Sequence, residues 1–400
     1  MRLALVALTS FLTISAADRD SAAKSGLDAA QLAKIPKRLR EFVDAGKAAG
    51  MVTLVARHGQ VASMEAIGYT DLETKQPIKT DAIFQLHSMT KPMVCLGVMM
   101  LAEDGKVNIN DPIEKHLPEF RGQMVLNEDG KLVKPNRLVT IRDLMTHTSG
   151  MILNPPPAIG ELHGALHKSL ADVVLIESQQ PLLFQPGTKW SYSNTGIATL
   201  ARLIEVHSGM AFEKFLEARL FQPLGMVDSY IFPPKEKHHR MPTAYLLKDG
   251  QTIKYTSDPL GEGVMKFRVG AKYSLPEGGV YSTAADLFRL YQMMLNGGTL
   301  DGKRVISKAS LQLMTSCHTP AGMRTSMPGG CWGLGSYVIT DPAQNGLLLS
   351  EGTHGHGGRY GTFYAVDPKR NMISIFLIHR EGGNDERNAF LQIAAAAVLD

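Results

Sequence analysis

The spacing of apolar residues divides the chain into two kinds of territory. Residues 34–50 (KIPKRLREFVDAGKAAG) repeat apolar positions three and four apart, which predicts an amphipathic helix beginning near Pro36 and stopping at the glycines. Two β-rich runs follow, MVTLVAR and VASMEAIGY, joined by His58-Gly59-Gln60 as a hairpin. The far end mirrors this pattern. GLGSYVI, YGTFYAVD and NMISIFLIH read as strands, residues 367–371 (DPKRN) as a turn, and DERNAFLQIAAAAVLD as a closing helix. Between the two ends the spacing is mostly helical. Thr140 and Asp143 have the positions of a capping box ahead of a short helix that Gly150 can end, and Thr283 with Asp286 repeats the device.

The simplest architecture is α+β. Both ends of the chain, about residues 27–80 and 330–400, share one antiparallel sheet flanked by helices, and a largely helical lobe, about residues 81–329, is inserted between them. No internal repeat or low-complexity linker appears. Residues 154–157 (NPPP) and 261–270 (GEGVMKFRVG) read as surface loops, and residues 234–240 (PKEKHHR) as a solvated one.

The first twenty residues have a different character. Arg2 precedes a short apolar stretch, residues 3–14, and Ser15 with Ala17 form a small-x-small site ahead of Asp18. This predicts a secretory signal peptide over residues 1–17, with the alternative a buried N-terminal helix, and an exported mature chain. No later stretch is apolar for long enough to cross a bilayer. Across 400 residues, 42 Lys and Arg face 38 Asp and Glu, a net charge of +4. With no basic cluster interleaved with aromatics, nucleic-acid binding has no support. The 3 cysteines are an odd number, so at least one is unpaired within the chain. Cys95 lies in an apolar run and reads as a packed thiol; Cys317 and Cys331 read as unpaired, with a bridge between them the alternative.

Three stretches carry candidate chemistry. Ser88-Met89-Thr90-Lys91 follows the strand-like IFQLH and opens the apolar helix MVCLGVMMLAEDG. A helix starting at Ser88 would set its hydroxyl at the positive helix end, with Lys91 one turn later on the same face. Desolvated there, the lysine would have a lowered pKa and could take the serine's proton. The spacing alone is weak, since Ser21-Ala22-Ala23-Lys24 repeats it in a polar stretch; context separates the two. The second stretch holds Tyr192-Ser193-Asn194 before another apolar helix. A phenol beside an ammonium can be pushed toward phenolate, and an amide two residues on can hold a substrate carbonyl or fix the lysine. The third, THGHGGRYGTFYAVD, sets glycines before a strand, where a backbone N–H could serve an oxyanion. His354 and His356 lack an HExxH or a carboxylate at ligand spacing, so no metal is expected.

Taken in order, Ser-x-x-Lys, Tyr-x-Asn and a His-x-Gly strand resemble the serine β-lactamase and penicillin-binding superfamily, most of all class C β-lactamases, D-Ala-D-Ala carboxypeptidases and family VIII carboxylesterases. TIRDLMTHTSGM, PGTKWSYSNTGIATLARLIE, QPLGMVDS and GGVYSTAADLFRL resemble segments of the same group, and the likeness runs from about Leu27 to the end. The resemblance implies Ser88 as nucleophile, Lys91 as its base and Tyr192 as proton shuttle. It implies Asn194 as a substrate contact, His356, Gly357 and Gly358 as the third motif, and the amides of Ser88 and Arg359 as the oxyanion hole. It implies no cofactor, and a small ester, amide or lactam as substrate. No G-x-S-x-G occurs, against an α/β-hydrolase elbow.

One departure bears on the substrate. The class C enzymes carry lysine in the third motif; this chain has His356, mostly neutral at pH 7 if its pKa is near the usual ~6.5. That weakens the case for substrates needing a strong anion clamp, although Arg359 or Arg380 could supply charge. The expected order is therefore carboxylic esters first, D-amino-acid or cell-wall peptides second and β-lactams third. A non-catalytic, acylated penicillin-binding sensor closes the list, disfavoured because the water-activating groups look complete.

Overall fold

The computed structural model describes residues 21–155, 167–255 and 268–400. The expected signal peptide lies outside them, as do residues 156–157 of the first expected loop and 261–267 of the second.

Runs of β-branched and apolar residues at both ends of the chain form one eight-stranded sheet. Its strands are β1 (Gly50–Arg57), β2 (Gln60–Asp71), β3 (Gln76–Pro77), β4 (Gly330–Trp332), β5 (Tyr337–Ile339), β6 (His354–Gly357), β7 (Phe363–Asp367) and β8 (Met372–Ile378). The spatial order is β4-β5-β6-β7-β8-β1-β2-β3, antiparallel throughout, with Val52 opposite Leu377 and Leu54 opposite Ile375. The α+β class expected from the sequence is the one observed. His58 and Gly59 both take positive φ in the hairpin between β1 and β2, as a tight two-residue turn between right-twisted strands requires.

All eight residues of β1 are buried, because the sheet is covered on both faces. Met51 and Val55 share a core with Leu39 and Phe42 of α1 (Lys34–Asp44) and with Phe390 and Leu391 of the closing helix Asp385–Ala395. Val52, Leu54 and Ala56 point the other way, into a second core built with the lobe. There α2 (Lys91–Glu103) packs against α3 (Asn194–Ser208), and Gly97 permits the close approach: a Cβ would lie 2.8 Å from Ile204 Cδ1 and 3.0 Å from Phe215 Cε1. The lobe is not purely helical. Tyr245–Lys248 and Gln251–Lys254 form a hairpin whose first strand runs parallel to Arg380–Glu381, and Phe84–Gln85 pairs with Tyr281–Ser282. Residues 235–240, expected as loop, form a 3-10 turn tied down where Lys237 and Arg240 grip Asp228.

Two further differences concern cysteine and capping. Cys317 and Cys331, read as unpaired, are joined, with Cα atoms 5.7 Å apart; Cys331 lies on β4, which brings it back beside the residues after the helix Lys308–Met314. Cys95 is buried and free, as expected, and burial raises its thiol to about 12. The capping box at Thr140 is present: Thr140 Oγ1 accepts from Asp143 N, and the Asp143 carboxylate accepts from Thr140 N at 2.8 Å. That carboxylate does more than the motif implies. It takes both Arg137 nitrogens, at 2.6 and 2.9 Å, and the Thr148 hydroxyl at 3.2 Å.

Asp143 is buried, and burial alone would raise its pKa; the Arg137 guanidinium and Thr140 outweigh this and hold it below the usual carboxylate value. Replacing Asp143 with Asn leaves the geometry but removes the charge, so we expect Asp143→Asn to lose roughly 2–4 kcal/mol of stability in urea unfolding at pH 7. Because the folded pKa is depressed, the loss should shrink as pH falls toward the folded carboxylate's pKa, where wild type also becomes protonated. An unchanged midpoint at pH 7 would contradict this.

Candidate active site

Ser88 sits on a single 3-10 turn, His87–Thr90, that runs directly into α2. The sequence reading starts the helix at Ser88; the structure tightens that first turn, which His87 enters with a φ of 49°. The tightening has a purpose in geometry. At three residues per turn, position i+3 eclipses position i, and Lys91 Nζ comes to 3.0 Å from Ser88 Oγ. Pro92, at the second helical position, costs no hydrogen bond there.

Lys91 is fully buried. Its ammonium donates to Ser88 Oγ and, at 2.7 Å, to the main-chain carbonyl of Glu277. Desolvation dominates its acidity and pulls it down to about 7, against a smaller upward push from the Glu277 carboxylate and the Cys95 thiol. Near neutral pH this amine therefore exists in both forms and can accept a proton from the hydroxyl beside it.

Tyr192 reaches the same place from the start of α3. Ser193 caps that helix by accepting from Gly196 N at 2.9 Å, and Asn194 N donates to Leu153 O at 3.0 Å, so the preceding residue is fixed against the lobe. The Tyr192 ring lies 4.9 Å from Lys91 Nζ. Burial raises its pKa, and a hydrogen bond with Ser88 lowers it only in part. The sequence reading allowed a shift toward phenolate; the structure reverses it, because removal from water outweighs the hydrogen bond with Ser88. The phenol rests protonated and is set to donate.

His356 arrives on β6, paired opposite Tyr364. Its Nδ1 donates to the Gly357 carbonyl at 2.7 Å, which leaves Nε2 as an acceptor 3.4 Å from the Tyr192 hydroxyl. Burial first, and Lys91 second, lower its pKa to about 3, so the ring is neutral across the physiological range. Gly358 is where side-chain absence is required. A Cβ there would stand 2.2 Å from Leu86 O and 2.1 Å from Thr362 Oγ1, so only glycine lets this strand end touch the turn carrying Ser88. Its N–H is taken by Thr362 O at 2.7 Å, while the Arg359 amide has no acceptor among the described residues.

Other expected residues lie further out. Asn194 does not hydrogen-bond Lys91; its Nδ2 donates to Asn154 at 2.7 Å, and its buried Oδ1 is without a partner among the described residues. The Arg359 side chain is half-exposed and bound to Glu381 at 2.9 Å. Arg380, considered as a source of charge, is buried in a two-pronged pair with Glu386 and takes no part. Sequence reasoning did not single out His147, Trp190 and Trp332, whose rings surround Tyr192 with centroids 4.4, 6.2 and 6.2 Å away. Trp190 is two residues from Tyr192, but nothing in the spacing marks the other two. Among the described residues no three His, Cys, Asp or Glu side chains gather as a metal site, and no helix is long and apolar enough to cross a membrane. A cleft of about 230 Å³ lined by Ile113, Phe120, Gln123 and Leu182 includes none of these residues.

A seryl hydroxyl on a tight turn before a buried helix, a lysine stacked over it and a phenol from a neighbouring helix start, all against the interior strand β6 of the sheet, form the arrangement of a class of serine hydrolase. The Beta-lactamase family model matches residues 35–398, and the chain belongs to that family. Esterase EstB of Burkholderia gladioli is 32% identical over 391 residues, covering 91% of this chain and 94% of its own. Penicillin-binding protein 4* of Bacillus subtilis is 27% identical over 354 residues, covering 85% of this chain and 70% of its own. Among solved structures, EstCE1, a hydrolase with promiscuous acyltransferase activity, superposes with a TM-score of 0.78 at 25% identity, over 96% of this chain and 100% of that one.

A lysine kept at about 7 by burial weakens the fold that holds it. We expect Lys91→Met, of similar length and without charge, to gain roughly 1–2 kcal/mol of stability at pH 7. The gain should diminish toward pH 10, where the unfolded lysine is itself losing its proton. Urea titrations at the two pH values check this; a destabilised variant at pH 7 would show that Lys91 is structural.

Proposed function

We propose that this protein hydrolyses carboxylic esters through an acyl-enzyme on Ser88. The observation that carries the reading is the buried Lys91 amine 3.0 Å from the Ser88 hydroxyl, with an acidity near neutrality. In its neutral form Lys91 takes the Ser88 proton as Oγ attacks the ester carbonyl. The amides of Ser88 and Arg359 receive the developing oxyanion. Tyr192, protonated at rest, gives its proton to the departing alkoxide as the ester C–O bond breaks, and regains one from Lys91. Water then attacks the acyl group, its proton passing to the Tyr192–Lys91 pair, and the carboxylic acid leaves with Ser88 restored. His356 Nε2 holds the phenol by accepting its hydroxyl between turnovers, and Asn194 serves as a substrate contact, a role supported by an Oδ1 with no partner among the described residues.

The ester preference rests on charge. His356 is neutral, Arg359 is engaged by Glu381 and Arg380 by Glu386, so a substrate carboxylate would meet no loose cation from these groups. Likeness to EstB and EstCE1 points the same way. Likeness to the penicillin-binding protein and to putative D-alanyl-D-alanine carboxypeptidases of Salmonella supports cell-wall peptides as the second reading, ahead of β-lactams. A sensor that is acylated without turnover is the non-enzymatic alternative. We also propose export after removal of residues 1–17; the paired Cys317 and Cys331 suit an oxidising compartment.

Assays with p-nitrophenyl butyrate, nitrocefin and a D-Ala-D-Ala peptide separate these readings. Ester turnover should dominate, and Ser88→Ala should lose it by at least about 1,000-fold. Retained activity in that variant would end the proposal, and acylation without turnover would favour the sensor. The free-enzyme kcat/KM should rise with pH through about 7, because only the neutral amine can accept the proton. A rise centred near pH 10 would remove Lys91 from the role of base.

A further inference from the structure

We infer that His147 is a positioning residue for Tyr192, clamping the peptide on both sides of the phenol so that its proton is aimed at the departing alcohol. The inference rests on the role proposed above for Tyr192. The peptide N–H of Ser191 donates to the His147 carbonyl at 2.9 Å, and that of Ser193 donates to His147 Nδ1 at 3.2 Å. One residue thus binds the amides immediately before and after Tyr192. Its ring also lies against the phenol, centroids 4.4 Å apart at 38°.

His147 occupies this place at two costs. Its φ is 60°, in the left-handed region that a residue with a Cβ rarely visits. Because Nδ1 accepts, the ring proton sits on Nε2, which is buried with no acceptor among the described residues. The ring stays neutral: burial first, then Lys91 and His356, lower its pKa well below the usual value. Trp332 and Trp190 enclose it, with centroids 5.2 and 5.9 Å away. A spacer that only filled volume would need neither the strained backbone nor the unsatisfied N–H. What both permit is a fixed imidazole acceptor at one point and a carbonyl at another, matched to two amides on a facing strand of chain. The loop carrying His147 is itself anchored, through Thr148 N to Asp143 O at 2.9 Å and Thr148 Oγ1 to the Asp143 carboxylate.

The test uses two esters of butyric acid, one with ethanol and one with p-nitrophenol. Ethoxide needs a proton to leave; p-nitrophenolate does not. In His147→Ala we expect kcat/KM for the ethyl ester to fall about 100-fold, the scale of a misplaced catalytic group, against less than about 5-fold for the p-nitrophenyl ester. His147→Asn keeps an acceptor where Nδ1 stood, so it should recover at least about 10-fold of the ethyl-ester loss. If His147→Ala does not fold, His147→Phe, which keeps a ring but offers no acceptor, takes its place: the ethyl-to-p-nitrophenyl ratio should fall at least about 10-fold, and an unchanged ratio would overturn the inference. Equal losses on both esters, or an Asn variant as selective against ethyl as the Ala variant, would overturn the inference. Labelling of Ser88 by a fluorophosphonate is read in parallel. A wild type that fails to label would defeat the proposed function and this inference with it. Normal labelling with equal ester losses would defeat the inference alone.

Discussion

The structure depends on one costly burial, that of the Lys91 amine. Moving its pKa from an ordinary 10.5 to about 7 represents something on the order of 5 kcal/mol of disfavoured charge at neutral pH. The sign follows from proton counts: between these two values the unfolded chain binds more protons, so stability rises with pH across that window. The surroundings offset part of the cost without cancelling it. One main-chain carbonyl, one hydroxyl and the face of one aromatic ring receive the amine, and no carboxylate among the described residues bonds to it directly. A salt-bridged lysine would be more stable and useless as a base. Here the fold leaves it unpaired enough to lose its proton.

The rest of the site is held neutral for the same reason. His147 and His356 are buried and Tyr192 partly buried beside Lys91, and each is kept in its uncharged form by removal from water. A charged imidazole there would push Lys91 further down, and a resting phenolate would pull it up. Uncharged neighbours let the desolvation of one side chain set the working pH. They also add no charge of their own beside Lys91.

What could be read from the sequence was local. The hairpin at His58-Gly59, the capping box at Thr140, the single side-chain cap at Thr283 and the terminal helices each follow from residues within one or two turns of each other. The strand runs at both ends also pointed to a shared sheet. Ser88 and Lys91 were legible as a pair for the same reason, being three residues apart. The Glu277 carbonyl that receives Lys91 is 186 positions away, and the His147 ring that receives Ser193 N–H is 46 away. Neither partner has a side-chain signature, since one acts through its main chain and the other through a ring nitrogen that any histidine has. The tight turn at Ser88 was hidden by ambiguity: an i, i+3 spacing suits an α-helix and a 3-10 turn alike, and burial, invisible in a string of letters, decides the acidity of Lys91, Tyr192, His147 and His356.

The sheet order carries a consequence for how such a chain comes to exist. Strand β1, apolar on both faces, lies between β2, its neighbour in sequence, and β8, which is synthesised more than three hundred residues later. One long edge of the first hairpin therefore stays open while the whole lobe emerges, and such long-range pairing is intrinsically slow to form. The molecule closes at its centre last, so the nascent chain must shield a greasy, unzipped ribbon for most of its birth.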